Sequence, residues 1–401
     1  MDNTIENKLQ VQENRRTCMR ALTFNLLLLL LFIMVSACHT SSNQVTAMQW
    51  NIAAKLPAES PQDTAVGVAG PVTGMHNNVL VIAGGANFPD AMPWDGGKKV
   101  YHRKVYLYKQ DADEWILIDN TAELPFELAY PANCSTDRGI IVAGGENQDG
   151  ISSKVLRIVS DPSAALTIDT LPDLPEPLAN ATAACFGSRI YIAGGENQVA
   201  SSGNFYMLDL DNPEAGWIAR AALPVKVSHA VLLKVPGEQQ LLLCGGRMKN
   251  DNAISEFYSS VFRYHIAEDR WEAFTSLPYP LAAGTGIVLD KQMLLLGGDK
   301  GETFNRTEKL IMAIQQEGDS ARRQTLTREK NALQEAHPGF SREILMYDQS
   351  NSVWKLMAQL PFNTPVTTTA LQYKGNIIIP SGEVRAGVRT ANIYRGKPTE
   401  Q

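Results

Sequence analysis

Cysteine is scarce in this chain of 401 residues, which contains only five of them. Three, Cys134, Cys185 and Cys244, lie at wide spacing beyond residue 38. An odd number of widely spaced cysteines predicts neither a disulfide framework nor a zinc cluster. Each of the three lies in or beside an apolar run, so we expect them to be small core residues.

A strong charge of either sign is also missing. Lys and Arg number 36 against 42 Asp and Glu, which gives a formal net charge of -6. No basic cluster is large enough to follow a phosphate backbone. The sequence therefore predicts no nucleic-acid partner.

Motifs that mark several common catalytic sites are absent as well. The chain contains no Gly-x-Ser-x-Gly elbow, no phosphate-binding loop and no paired-histidine metal motif. Its histidines are scattered, and with the tyrosines they form no convincing ligand set for a copper oxidase. We therefore predict that the protein has no metal site.

The N-terminal 38 residues differ in character from the rest of the chain. Three arginines precede an apolar run over residues 26–35, which is followed at once by Ser, Ala and Cys38. At about 20 residues per span this run is too short to cross a bilayer comfortably, and a small-residue site follows it, as in a cleaved signal peptide. Residues 35–38 resemble a bacterial lipobox. We predict a signal peptide over residues 1–38 with lipidation at Cys38, and a polar tether over residues 39–47.

This prediction places the protein in the bacterial cell envelope, in the periplasm or on the outer membrane, with the lipid anchor as its membrane contact. Two alternatives stay open from the residues alone. One is an ordinary secretory signal with an incidental cysteine, and the other is an uncleaved anchor.

One pattern of about fifty residues occurs six times along the rest of the chain. Each copy has a Leu-Pro dipeptide, small or apolar residues, a turn, an apolar run that ends in a Gly pair, a polar loop and a Tyr-containing run. The Gly pairs stand at 84–85, 144–145, 194–195, 245–246 and 297–298, with Ser381-Gly382 in the sixth place. Four short β-type runs per copy are typical of a kelch blade. We predict an all-β, six-bladed kelch-type β-propeller over residues 48–396.

The two ends of this region each carry part of one blade. Gln49-Trp50 and the following Leu-Pro have the character of an outermost strand, whereas residues 367–373, 376–379 and 389–394 form a blade that lacks one. We therefore expect the N- and C-terminal strands to complete a single sheet, which closes the ring and removes its exposed edges.

The fifth copy is oversized. Between Gly298 and Tyr347 lies a charged segment rich in Ala, Gln and Glu, in which residues 308–316 and 320–336 have helical character. Long insertions in compact domains are usually functional or disordered. We predict a helical insert over about residues 303–340 that covers one face of the ring.

The loops after the Gly pairs and after the Leu-Pro dipeptides should open on the same face of the propeller. Polar residues in these loops would then meet at one mouth of the central channel. Each has a plainer interpretation, because Asn and Glu after a Gly pair often cap a turn, and the sixth loop reads equally well as a solvated salt-bridged loop. The polar loop residues are Asn87, Glu146, Asn147, Gln148, Glu196, Asn197, Gln198, Arg247, Lys249, Asn250, Asp299, Lys300, Glu383, Arg385 and Arg389.

The sixth loop carries the most specific resemblance. Gly382-Glu383 followed by Gly387-Val388-Arg389-Thr390 resembles the Gly-Glu-x-x-x-Gly-x-Arg-Thr stretch of the kelch-repeat N-acetylneuraminate epimerases, also called sialic acid mutarotases. Residues 84–88, 129–130 with 144–146, and 249–250 are similar too, as is the long helical insert. The order of the blades is rotated, as in the cyclically permuted branch of that family.

What this resemblance implies is interconversion of the α and β anomers of N-acetylneuraminate, with Glu383 as the proton acceptor and no cofactor. The sugar's carboxylate calls for a guanidinium, which makes Arg389, with Arg247 or Arg385, the expected clamp. Whether the protein forms a homodimer stays open. The further substrate-binding candidates are Asn87, Tyr130, Glu146, Asn147, Asn197 and Asn250.

A second hypothesis is a non-catalytic kelch propeller that binds glycans or a protein partner at the cell envelope. A protein-binding face should display exposed aromatic residues over a broad patch. The loops here are mostly short, polar and rich in amides, with Phe88, Trp94 and Tyr101 as the exception. This composition favours the enzyme.

Overall fold

The computed structural model describes residues 47–58, 64–112, 114–119, 121–161, 163, 165–250 and 253–399. The predicted signal peptide with Cys38, and the tether up to residue 46, lie outside the described residues. No helix in the described part of the chain is long and apolar enough to cross a membrane.

Six four-stranded antiparallel sheets, the blades, make up the described part of the chain, and in each the strands lie side by side in the order of a meander. Strand β1 (Met48–Lys55) comes first in the chain but belongs to the last blade. Blade 1 consists of β2 (Val72–His76), β3 (Val79–Ala83), β6 (Val105–Asp111) and β7 (Glu114–Asp119), with the hairpin of β4 (Ala86–Asn87) and β5 (Val100–Tyr101) between its second and third strands. Blade 2 consists of β8 (Ala132–Thr136), β9 (Gly139–Ala143), β12 (Val155–Ser160) and β13 (Leu166–Leu171), with the hairpin of β10 (Glu146–Asn147) and β11 (Gly150–Ile151).

The next two blades repeat this plan. Blade 3 consists of β14 (Thr182–Phe186), β15 (Arg189–Ala193), β16 (Phe205–Asp209) and β17 (Ile218–Ala219). Blade 4 consists of β18 (Val231–Lys234), β19 (Gln240–Cys244), β22 (Val261–His265) and β23 (Arg270–Phe274), with the hairpin of β20 (Arg247–Met248) and β21 (Glu256–Phe257).

The last two blades carry the insert and the closure. Blade 5 consists of β24 (Thr285–Leu289), β25 (Gln292–Leu296), β26 (Glu343–Asp348) and β27 (Val353–Gln359), with helices α1 (Glu302–Gln316) and α2 (Ser320–Glu335) between its second and third strands. Blade 6 consists of β28 (Leu371–Tyr373), β29 (Asn376–Pro380), β32 (Asn392–Pro398) and β1, with the hairpin of β30 (Glu383–Arg385) and β31 (Val388–Arg389). Two short 3₁₀ helices are Pro93–Asp95 and Pro213–Ala215.

The second strand of each blade is apolar because it is covered on both faces by neighbouring blades. Every residue of β3 and of β9 is buried. Between blades 1 and 2, Val81 and Leu107 pack with Ile140 and Leu156 in one hydrophobic cluster. Burial of an aliphatic side chain of this size contributes roughly 1.5–3 kcal/mol, so the clusters between blades are the core of the propeller.

The ring closes as the sequence predicts. Strand β1 pairs antiparallel with β32, in a register that runs from Met48 opposite Pro398 to Lys55 opposite Asn392. The six-bladed propeller, its closure by N- and C-terminal strands, and the helical insertion in its fifth blade are all confirmed.

A closed ring of backbone hydrogen bonds joins all six blades around the channel. One residue from each blade donates its N–H to the carbonyl oxygen of its counterpart in the preceding blade, at distances of 2.7–3.1 Å. All six have left-handed backbone conformations, with φ between +54° and +62°. We call this set the αL ring; its members are Gly70, Tyr130, Asn180, His229, Ala283 and Thr367.

The helical insert lies over one face of the ring and is tied to three other blades. Glu308 of α1 accepts hydrogen bonds from Ser255 of blade 4. Asn331 of α2 donates to the carbonyl of Trp94 in blade 1, at 2.9 Å. Helix α1 begins at Glu302 rather than at residue 308, because Gly301, in the left-handed conformation, is its N-cap.

Candidate active site

Six residues that directly follow the Gly pairs stand at equivalent positions around one mouth of the channel. Each forms an isolated β-bridge with the residue just before a member of the αL ring. The hydrogen-bonded ring therefore fixes the backbone beneath all six side chains. In chain order they are Ala86, Glu146, Glu196, Arg247, Asp299 and Glu383.

A cavity of about 470 Å³ lies between this mouth and the helical insert. One part of its wall is charged or polar, and another part is apolar and comes mainly from the insert and nearby loops. The charged and polar lining includes Lys99, Tyr130, His229, Arg247, Asp299, Glu308, His337, Glu383 and Arg389. The apolar lining includes Phe88, Pro93, Phe257, Phe304, Ile311 and Phe340.

Glu383 and Arg389 stand side by side in this cavity. They are directly opposite each other in the register of the β30–β31 hairpin. Glu383 Oε1 accepts a hydrogen bond from the backbone N–H of Gly387 at 2.7 Å and lies 3.8 Å from Arg389 Nη1. Its side chain keeps 18% of its surface exposed, so the carboxylate is both held in place and open to a ligand.

Arg389 is the most deeply buried cation of the site, with 3% of its side chain exposed. Its guanidinium carbon lies 4.7 Å from the centre of the Phe88 ring, and Tyr130 lines the same cavity. Two of its nitrogens, Nε and Nη1, are buried without a hydrogen-bond partner among the described residues. Leaving such donors unpaired is costly, so the arrangement fits an anionic ligand with hydrogen-bond acceptors, such as a carboxylate.

Asp299 brings a second carboxyl group into the cavity. Its Oδ1 accepts a hydrogen bond from the backbone N–H of Gly301 at 2.8 Å. Burial raises the pKa of Asp299 above its ordinary value. Burial also lowers the pKa of His337 and, together with the charge of Arg247, lowers the pKa of His229 to about 3. Both imidazoles are therefore neutral at pH 7.

Arg247 lines the same cavity, but its positive charge is partly balanced by Glu196. Its Nη2 lies 3.7 Å from Glu196 Oε2, and its Nη1 donates to Ser255 Oγ at 3.4 Å. The guanidinium carbon also stacks 4.6 Å from the ring centre of Phe304 on α1. Among the predicted substrate-binding residues, Arg247 and Tyr130 are the two that line the cavity with Glu383 and Arg389.

The predicted asparagines lie outside this lining, and their side chains are used within loops. Asn87 donates to the carbonyl of Gly67 at 3.0 Å, Asn197 accepts from backbone N–H groups of its own turn, and Asn250 donates to a carbonyl four residues on. The contacts of Asn197 and Asn250 match the turn-capping alternative, whereas Asn87 joins two separate loops. A substrate role for these three residues stays a prediction.

Two charged candidates also lie beside the cavity rather than in its lining. Glu146 accepts hydrogen bonds from Lys99 Nζ at 3.1 Å and from the Tyr101 hydroxyl at 2.8 Å. Arg385 donates to the carbonyl of Glu335 at the end of α2, at 3.3 Å. Arg385 thus holds the insert to blade 6, and its role as a carboxylate clamp stays a prediction.

Asp299 was predicted from the sequence as a polar residue at the mouth of the channel, and it does line the cavity. Sequence reasoning missed two other residues that give the cavity its character. Lys99 and His337 come from a long loop and from the end of the insert, and nothing in their local sequence places them near Glu383. Only the closed ring and the folded insert bring them together.

Comparisons with known proteins agree with this geometry. A family model described as N-acetylneuraminate epimerase matches residues 35–168 and 171–401. The N-acetylneuraminate epimerase of Haemophilus influenzae strain PittEE is 26% identical over 197 residues, which cover 49% of this chain and 52% of the relative. The enzyme of the same name from Yersinia enterocolitica is 28% identical over 202 residues, which cover 48% of this chain and 50% of the relative.

This chain therefore spans about half the length of the curated relatives it matches. The solved structure of YjhT aligns with a TM-score of 0.59 over 83% of this chain and 95% of that chain, at 13% identity, which shows a shared fold. The rotated order of the blades stays a prediction. Because the family model covers most of its residues, the chain belongs to the N-acetylneuraminate epimerase family.

Proposed function

We propose that this protein interconverts the α and β anomers of N-acetylneuraminate by general acid–base opening and closure of the sugar ring. The observation that carries the proposal is the buried Arg389, with two unpaired donors, beside the Glu383 carboxylate in one cavity. The curated relatives that this chain partly matches are named for the same reaction.

The substrate's own structure explains why this pair is suitable. In N-acetylneuraminate the carboxylate and the anomeric hydroxyl are bonded to the same carbon atom. A carboxylate held by Arg389 therefore brings the anomeric hydroxyl next to Glu383, which is directly across the hairpin. Glu383, whose Oε1 lies 3.8 Å from Arg389 Nη1, then accepts the hydroxyl proton.

Ring opening also needs a proton for the ring oxygen, and Asp299 is the donor we propose. It lines the same cavity as Glu383, and burial raises its pKa above the ordinary value, which suits a group that must donate a proton. Asp299 and Glu383 thus give one cavity a proton donor and a proton acceptor.

The proton transfers then balance over a full cycle. Opening gives Glu383 one proton and takes one from Asp299, and the open keto form rotates about the bond next to its carbonyl carbon. Closure on the other face returns a proton from Glu383 to the carbonyl oxygen, while Asp299 recovers one from the attacking hydroxyl. The cavity's Phe257, Phe304 and Phe340 supply an apolar wall for the acetamido methyl group.

The test is proton NMR of freshly released α-N-acetylneuraminate, in which appearance of the β anomer is followed with wild type, Glu383→Gln and Arg385→Gln. We expect fast conversion by wild type, loss to near the spontaneous rate for Glu383→Gln, and nearly full activity for Arg385→Gln, which lies outside the cavity lining. Conversion by wild type at only the spontaneous rate would sink the proposal and favour a propeller that binds sugars without turning them over.

We further propose that the protein is a lipoprotein of the cell envelope. It would be anchored through Cys38 after cleavage of the residues that precede Cys38. The support is the apolar run and the lipobox-like sequence that follows it. Metabolic labelling with radioactive palmitate should mark the wild-type protein and leave Cys38→Ser unlabelled. Equal labelling of the two would contradict lipidation at this residue.

A further inference from the structure

Two cysteines that are far apart in sequence meet at the boundary between blades 2 and 3. Cys134 lies on β8 and Cys185 on β14, the innermost strands of these neighbouring blades. Both side chains pack against the same hydrophobic cluster. Cys185 Sγ lies 3.4 Å from the carbonyl oxygen of Ser135, the residue next to Cys134, so the two thiols are close neighbours.

The surroundings of the two thiols differ in a way that favours chemistry between them. The neighbouring Cys134 thiol and the positive charge of Lys234 outweigh burial and lower the pKa of Cys185 to about 7. The pKa of Cys134 is raised by the neighbouring Cys185 thiol and by burial. A thiolate beside a second thiol is the arrangement from which a disulfide forms through a mixed-disulfide intermediate.

Cys134 and Cys185 are only partly buried as residues, whereas Cys244 is buried in another interface, between blades 4 and 5. Burial raises the pKa of the Cys244 thiol. Cys244 therefore provides an internal comparison for the reactivity of the pair.

We propose that Cys134 and Cys185 form a disulfide that links the innermost strands of blades 2 and 3 when the protein meets a disulfide oxidant, for which oxidised glutathione is the probe. The Cys185 thiolate attacks one sulfur of oxidised glutathione and releases one glutathione. Cys134 then attacks Cys185 Sγ and releases the second. The two electrons pass to the oxidant, and the two thiol protons end on the two released glutathione molecules.

Such a bond would add a second covalent link between two blades that the backbone already joins between Leu171 and Thr182. It would constrain the unfolded chain by closing the loop between residues 134 and 185, so the thermal midpoint of unfolding should rise. The inference does not depend on the proposed mutarotase activity, since neither cysteine lines the cavity of the candidate site.

The experiment uses the full chain, reduced and then incubated with oxidised glutathione. After denaturation in iodoacetamide, peptide mass mapping should show a Cys134–Cys185 linked peptide about 2 Da lighter than the sum of its two reduced parts, with Cys244 alkylated. Two results would overturn the proposal: both cysteines fully alkylated, or glutathione attached to Cys185 without a link to Cys134.

Thermal unfolding adds a second readout. Oxidation should raise the midpoint of wild type and of the control Cys244→Ser by several degrees, and it should leave Cys185→Ser unchanged. An equal rise in Cys185→Ser would assign the stabilisation to something other than this disulfide. The mass mapping on wild type stands even if a variant fails to fold.

Discussion

Arg389 is buried as deeply as a core residue, yet two of its donors have no hydrogen-bond partner among the described residues. Arg389→Lys keeps the positive charge and removes the planar guanidinium with its several donors. Hydrogen bonds to charged groups are worth about 1.5–3 kcal/mol, so we expect kcat/KM for anomer conversion to fall roughly 10- to 100-fold, mainly through KM. Arg385→Lys, outside the cavity lining, is the control, and an equal loss there would remove the special role of Arg389.

Asp299 carries a prediction about pH. Burial raises its pKa, while the nearby positive charges of His337, when protonated, and Arg247 oppose that shift and Glu302 adds to it. If protonated Asp299 is the acid, the conversion rate must fall as pH rises through this elevated pKa, because the proton it donates is lost. Asp299→Asn should lower the rate by about 10²–10⁴-fold and abolish this limb of the pH profile.

The control for this prediction is Asp290→Asn, a substitution of the same kind at an exposed turn of the same blade. It should leave both the rate and the profile unchanged. A falling alkaline limb that survives in Asp299→Asn would mean that another group donates the proton.

The Gly pairs allow each blade to pack closely against the backbone of the next blade. In blade 2, Gly144 has φ of +67°, and a Cβ atom there would lie 2.1 Å from the carbonyl oxygen of Leu178, at the start of blade 3. Positive φ costs any other residue about 1–3 kcal/mol, and this contact adds to the cost. Gly144→Ala should therefore lower the free energy of unfolding in urea by more than about 2 kcal/mol.

Gly187 separates the two contributions. Its φ is +61°, but a Cβ there would meet nothing within 4 Å. Gly187→Ala should therefore cost only the conformational part, about 1 kcal/mol. If the two variants lost the same stability, close approach between blades would not explain the Gly pairs.

The sequence was sufficient to predict these pairs, the buried second strands such as β3 and β9, and the Glu383–Arg389 hairpin, because each has a local pattern. It was not sufficient to predict the αL ring. Tyr130 and Thr367 are not residue types that signal positive φ, and each ring hydrogen bond joins residues from two different blades. The same limit explains why Lys99 and His337 were missed as cavity residues.

Closure of the propeller could be predicted from the sequence because each end of the chain carries part of the same blade. The stability of the ring therefore depends on the sheet that the two ends share. Trp50 of β1 packs on Gly396 of β32, where a Cβ atom would lie 2.6 Å from the indole, and it meets the Phe362 ring edge-on at 5.7 Å between centres. The first strand thus holds the last blade by side-chain packing as well as by its hydrogen-bonded register.

Trp50→Ala should therefore weaken closure of the entire ring. Since Trp50 is half-buried, we expect a loss of about 2–3 kcal/mol, somewhat below the 3–5 kcal/mol of a fully buried tryptophan. Urea unfolding followed by circular dichroism measures the loss. Ile52→Ala, in the same strand but with 49% of the residue exposed, should cost less than about 1 kcal/mol. An equal loss in both variants would show that β1 contributes through its backbone pairing alone, and that the indole does not fasten the ring.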